Sequence, residues 1–249
     1  TNFLFKNCRI EVGDDDIVAK PLSGSCYNIT ITNCAAFHGH GFGIGGGSLY
    51  GLSNYLVIDS SLTGTDNGLR IKAQDYPYDK SGGIVSNVVY RNIQMTNVPR
   101  PFAMETFYDG SDNFPPSPVT TNAYTTNFAQ FSSNGYTYYP TYYSSSPRTN
   151  TPYTPTHRNI SYINITVTNC TYPGDFEGGW YVSPNIDGLT FSNVTVQTTS
   201  TSAAFNIWHA TNVTACNLKI IIPTNSAYFG TNGGRPISGV YIYDVGNLT

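Results

Sequence analysis

Three short segments rich in groups that move protons or hold charge fall at one interval of 26 residues: Gly13-Asp14-Asp15-Asp16, Gly39-His40-Gly41 and Thr65-Asp66-Asn67-Gly68. The last runs directly into Leu69-Arg70-Ile71-Lys72. Adjacent carboxyls suit the hydrolysis of a glycosidic bond, which needs one protonated group to expel the leaving oxygen and one ionised group to activate water or attack. Like charges raise each other's pKa, so a cluster of aspartates can keep one member protonated. Arg70 and Lys72 are separated by one residue, so on a strand both face the same way while Ile71 turns to the core. A planar fork beside a point charge suits a sugar carboxylate, bidentate to Arg70 and reinforced by Lys72. Salt bridges to neighbouring acids are the other use of such a pair, with Glu105 one coil from Lys72 as a partner. His40 lies between two glycines and just before the run Gly43 to Gly47, a turn that lets a bulky ligand approach the backbone. It could tune the acid or contact the sugar, and His38 competes with it.

A fixed period of this size means one structural unit per repeat, stacked on the next, so residues a full period apart become neighbours. Asp14, His40 and Asp66 are therefore expected to form a column, with Arg70 and Lys72 beside it. A second pattern supports the stacking: an apolar residue, a spacer, an Asn and then alternating apolar and small polar residues. It runs through Tyr27–Asn33, Tyr90–Asn97, Tyr162–Asn169 and Phe191–Gln197. Period-two alternation is a strand with one buried face. Strands recurring every 22 to 33 residues between Gly and Asn turns predict an all-β chain wound as a parallel β-helix, with internal amide ladders where the Asn residues stack. The hairpin dipeptides of a β-sandwich are mostly missing. From Asp109 to His157 the rhythm breaks into a Tyr-, Pro-, Ser- and Thr-rich stretch, read as an insertion folding over one end of the active surface, with a disordered spacer as the alternative. Residues 1–249 otherwise form a single solenoid domain. Its opening Thr1-Asn2-Phe3-Leu4-Phe5 already reads as strand, so the chain is expected to be part of a longer polypeptide, or the mature piece of one, without its N-terminal coils.

Charged residues make up only 11% of the chain and the net charge is -3, with twelve Lys and Arg in all, which excludes the broad basic face that nucleic acid requires. No run of eighteen apolar residues occurs, so no membrane partner is expected. Cys8, Cys26, Cys34, Cys170 and Cys216 show no metal spacing and read as small buried fillers, Cys8 stacking on Cys34, with one or two disulfides if the protein is exported. Seven Asn-x-Ser/Thr sequons, at Asn28, Asn159, Asn164, Asn169, Asn193, Asn212 and Asn247, are better explained by the strand repeat than by glycosylation.

The ordered segments resemble the polygalacturonases of glycoside hydrolase family 28, right-handed parallel β-helices of the pectin-lyase-like kind. That family carries Gly-Asp-Asp-Cys, Gly-His-Gly, Arg-Ile-Lys and a tyrosine on successive coils, matched here by Gly13-Asp14-Asp15-Asp16, Gly39-His40-Gly41, Arg70-Ile71-Lys72 and Tyr108. The resemblance covers about residues 1 to 108. It implies that Asp14 is the general acid, that Asp15 helps activate water and that His40 supports the site. It further implies that Arg70, Lys72 and Tyr108 bind the galacturonate at the point of cleavage, with inversion of configuration and no metal or cofactor. Asp16 stands where the family has Cys, and the family's Asn-Thr-Asp motif would lie before Thr1. The expected partner is pectin, and the expected setting is a secreted monomer. Two rivals are a pectate lyase that holds Ca²⁺ through Asp14, Asp15 and Asp16, and a non-catalytic carbohydrate-binding β-helix with tyrosine stacking platforms.

Overall fold

The computed structural model describes residues 2–46, 48, 50–73, 83–106, 131–133, 136–138, 155–178, 186–200, 204–223, 231–232, 235–236 and 239–249. Among them every regular element is a strand, and nearly all pairings are parallel, so the chain winds as the expected parallel β-helix. Among the described residues there is no helix long and apolar enough to cross a membrane.

The winding follows from asparagine. Along Leu52–Thr63 burial alternates, but the phase resets after Asn54 and again after Asp59, whose φ values are 57° and 51°. A left-handed residue turns the strand through a corner and inserts one position, so the next apolar side chain again faces inward. Asn tolerates this conformation better than other non-glycine residues because its short amide bonds locally. The same corner recurs at Asn28, Asn87, Asn159 and Asn212, and a second corner at Asn33, Asn92, Asn164, Asn193 and Asn217. Each corner amide donates to the residue one coil back: Asn54 to Asn28 at 2.9 Å, Asn87 to Asn54 at 3.2 Å, Asn164 to Asn92 at 3.1 Å and Asn193 to Asn164 at 3.1 Å. These ladders stand on the exposed corners, not inside the coils as the sequence suggested, because a left-handed corner turns its side chain outward. The six sequon asparagines from Asn28 to Asn212 all spend Nδ2 in this way.

Inside, apolar side chains from equivalent positions stack along the axis. Tyr90, Tyr162 and Phe191 form a column with ring centroids 5.1 and 5.3 Å apart. Offset ring pairs of this kind contribute about 0.5–1.5 kcal/mol each beyond area burial. The register Tyr90↔Tyr162 holds even though those partners are 72 residues apart, against 26 to 33 for earlier coils. Most of the 109–157 segment lies outside the described residues. Within it, Phe131–Ser133 pairs antiparallel with Tyr136–Tyr138, and the strand Thr156–Cys170 already begins before its expected end. Cys8 and Cys34 stack as expected, with Ala35 N donating to Cys8 O at 2.8 Å. All five cysteines are free thiols, and Cys216 is exposed, so it is not a core filler.

One sheet positions the chemistry. It runs through the strands Ile17–Ala19, Phe42–Gly45, Asn67–Lys72, Arg100–Glu105 and Gly174–Glu177. Its register places Gly43, Arg70, Ala103 and Asp175 in one row and Gly45, Lys72 and Glu105 in another.

Candidate active site

The three loaded segments are the turns that enter successive strands of this sheet, and backbone bonds stack them. His40 N donates to Asp14 O at 2.9 Å, Asp66 N to Gly39 O at 2.8 Å, and Arg100 N to Asp66 O at 3.3 Å. The expected column of Asp14, His40 and Asp66 is therefore present. The imidazole lies between the two acids, with Nδ1 3.4 Å from Asp14 Oδ1 and Nε2 3.5 Å from Asp66 Oδ2. Gly39 is required here, since a Cβ would run into the Asp16 carboxylate and the Asp14 carbonyl.

The three consecutive aspartates take three different environments. Asp14 projects into solvent, its side chain 89% exposed. Its carboxyl is held below the usual range, first by the Asp15 N–H donated to Oδ1 at 2.7 Å, then by the nearby charges of His40, Lys20 and Lys72. Asp15 is turned in, 8% exposed, and lies 3.1 and 3.2 Å from Lys72 Nζ through its two oxygens and 3.6 Å from Lys20 Nζ. Asp16 accepts Gly41 N–H at 2.8 Å through Oδ2, while Oδ1 is buried without a hydrogen-bond partner. Burial pushes its pKa up, and the Gly41 N–H and the charge of His40 oppose that only in part. The Asp16 carboxyl thus clips the Gly-His-Gly turn where the resembled family has Cys.

Arg70 and Lys72 share a face and Ile71 points inward, as the spacing requires. They do not, however, stand out on the surface: their side chains are only 5% and 6% exposed. Both are engaged by acids, Lys72 by Asp15 and Arg70 Nε by Glu105 Oε2 at 2.7 Å. The expected neighbour Glu105 is in register with Lys72, yet it pairs with Arg70 and with Arg100 Nη2 at 3.0 Å. A buried ion pair costs about 3–5 kcal/mol when one partner is removed, so these cations are anchored. Gly45 is needed beside them, with φ of 91° and its Cβ position taken by the Lys72 carbonyl. Tyr108 lies outside the described residues.

Lys20 and Arg100 escaped the sequence reading as members of the site. Lys20 precedes Lys72 by two periods, with Gly46 between them, whose Cβ would lie 3.7 Å from Lys20 Cε and 4.0 Å from Lys72 Cε. Counting the 26-residue interval from Lys72 would have found it. One oxygen each from Asp14 and Asp15 and one nitrogen from His40 lie within 4.8 Å of one another, a set able to hold a cation. The third aspartate is absent from that set because its carboxyl is given to Gly41, so the Asp14, Asp15, Asp16 ligand group of the lyase alternative does not form.

The profile of glycosyl hydrolases family 28 matches residues 1–127. The chain is 38% identical over 112 residues to a polygalacturonase of Ralstonia solanacearum, covering 43% of this chain and 20% of the relative. It is 38% identical over 111 residues to an endo-polygalacturonase of Pectobacterium carotovorum subsp. carotovorum, covering 43% and 26%. It is also 30% identical over 112 residues to exopolygalacturonase rpg13 of Rhizopus delemar, covering 43% and 29%. The matched part thus spans between a fifth and just under a third of these relatives' length.

Proposed function

The chain belongs to glycosyl hydrolases family 28, and on that premise we propose that it hydrolyses the α-1,4-galacturonosidic bonds of homogalacturonan in pectin, with inversion and without a metal. The observation that carries this reading is the convergence of Asp14, Asp15, His40, Arg70 and Lys72 on one side of one sheet, acids beside cations.

Asp14 is the general acid. Its depressed pKa in the free protein opposes this only until substrate binds: a polyanionic sugar chain brings carboxylates beside Asp14, and like charge favours its protonated form. Water exclusion by the bound polymer acts in the same direction. Asp15 is the carboxylate that helps to activate water, kept in place by Lys72. The nearest oxygens of Asp14 and Asp15 approach within 4.8 Å, closer than the roughly 6.5–9.5 Å separation of inverting carboxyl pairs. His40 orients Asp14, and Arg70 and Lys72 take the uronate, with Tyr108 as a third contact.

In this reading the protein is a secreted monomer with a single β-helix domain. Incubation with de-esterified homogalacturonan, with and without excess chelator, tests it. The expected outcome is release of saturated oligomers whose new reducing ends are first formed in the inverted configuration, followed by proton NMR. Products that are unsaturated, and vanish with chelator, would instead support cation-dependent elimination at the Asp14, Asp15 and His40 set. An untouched polymer that still binds would support a binding module.

A further inference from the structure

An arginine side chain loses rotamer entropy when it is fixed, so a carboxylate-binding arginine works best if its plane is held beforehand. Here one carboxylate does the holding. Glu105 accepts Arg70 Nε–H at Oε2, 2.7 Å away, and Arg100 Nη2–H at Oε1, 3.0 Å away. The sheet register explains how this fork forms. Ala103 stands opposite Arg70, and Glu105 stands opposite Lys72. The small Ala103 side chain leaves room for Arg70 to reach across to Glu105, while Lys72 turns the other way to Asp15. Because the guanidinium is planar, a strong bond at Nε sets the direction of its remaining N–H groups.

We propose that Glu105 is a positioning residue: it locks the Arg70 guanidinium in the orientation that receives a uronate carboxylate, and Arg100 holds Glu105 in that role. The proposal rests on the reading of Arg70 given above. Asp175 supports it. This carboxyl lies one coil beyond Ala103, its Oδ1 buried without a hydrogen-bond partner. Burial pushes its pKa up to about 7, with Glu105 adding to the rise and Arg100 opposing it. Asp175 thus lies within the field of both members of the Arg100–Glu105 pair.

Positioning and simple electrostatics predict opposite signs. Glu105 is an anion beside a site for an anion, so neutralising it should tighten uronate binding if charge were all that mattered. If Glu105 positions Arg70, binding should weaken instead. The test is calorimetric titration of the full chain with trigalacturonate, for wild type, Glu105→Gln and Glu105→Ala, alongside NMR of the arginine Nε–H signals, with the Arg70 line assigned by its loss in Arg70→Ala. We expect the Arg70 line to exchange slowly in wild type and to broaden in Glu105→Ala. Kd should rise about tenfold in Glu105→Ala and by a smaller factor in Glu105→Gln, as loss of a charge-assisted bond implies. An unchanged Arg70 line in Glu105→Ala, or tighter binding by Glu105→Gln, would overturn the proposal. Should Glu105→Ala fail to fold, the sign of the Glu105→Gln effect decides alone. A wild-type chain that binds no trigalacturonate, yet loses the Arg70 line in Glu105→Ala, keeps the lock and removes the uronate reading.

Discussion

The turns carrying Asp14, His40 and Asp66 stand largely in water, their side chains 89%, 34% and 72% exposed, whereas Arg70 and Lys72 on the adjoining strand are 5% and 6% exposed and already paired. Backbone bonds stack the turns, but His40 sits at 3.4 and 3.5 Å from its acids, so those side chains respond readily to whatever binds. The cations, by contrast, are desolvated and fixed before any ligand arrives, which makes their field stronger and costs no reorganisation on binding. In the proposed reading, proton transfer falls to groups whose environment changes on binding, and recognition to groups fixed beforehand. Asp15 belongs to the buried side of this division despite standing next to Asp14 in the chain.

Substitutions at the adjacent aspartates probe this contrast most strongly. Asp14→Asn should lower turnover of homogalacturonan by roughly 10²–10⁴-fold, the span for loss of a general acid. Its unfolding temperature should stay that of wild type, since an amide oxygen can still accept Asp15 N–H. Asp15→Asn should also lose turnover, but with destabilisation on the order of 3–5 kcal/mol, because Lys72 keeps its burial and loses its anion. Equal unfolding temperatures for the two variants would erase the distinction between the two sides.

His157 is a third case, a polar side chain that is fully buried with both ring nitrogens unpaired. Burial lowers its pKa from 6.5 to about 4. The unfolded chain takes up this proton below about pH 6.5 and the folded one resists it. Stability from this group is therefore complete above pH 6.5 and is lost as pH falls towards 4, roughly 3 kcal/mol in all at about 1.4 kcal/mol per unit. Urea midpoints measured across that window should flatten in His157→Val, and an unchanged pH slope would mean that another group titrates.

Arg70→Ala should weaken trigalacturonate binding by about 1.5–3 kcal/mol, the range for a hydrogen bond to a charged group, while barely changing that of neutral galactose oligomers. Equal losses on both ligands would remove the carboxylate assignment. The smallest effect concerns polar groups that are exposed yet ordered. Asn164 has a φ of 52° and takes part in two ladder bonds. Asn164→Ala should cost about 1–2 kcal/mol in urea unfolding, and Asn164→Gly less, because glycine accepts the left-handed corner. Equal costs would assign the effect to the amide bonds alone.

How much could be read in advance depended on spacing. The column of Asp14, His40 and Asp66 was legible because the first coils share one length, and the ladder partners Asn28 and Asn54 show that interval of 26. Beyond Asn54 the interval rises to 33 and then to 72, and a fixed count no longer finds neighbours. Aligning the coils on their corner asparagines would have worked further: His157 then falls two residues before Asn159, as Val85 does before Asn87, in a core column with Ile186. The burial of Arg70 and Lys72 was not legible, because it depends on which acid each side chain chooses across coils. Register put Glu105 beside Lys72, and only the side-chain geometry shows that it serves Arg70.

Whether water cleaves the bond at this site is read from product mass after incubating the full chain with de-esterified homogalacturonan in heavy-oxygen water, with and without chelator. One heavy oxygen at each new reducing end, absent with Asp14→Asn, is the predicted result. Unsaturated products without the label would contradict it.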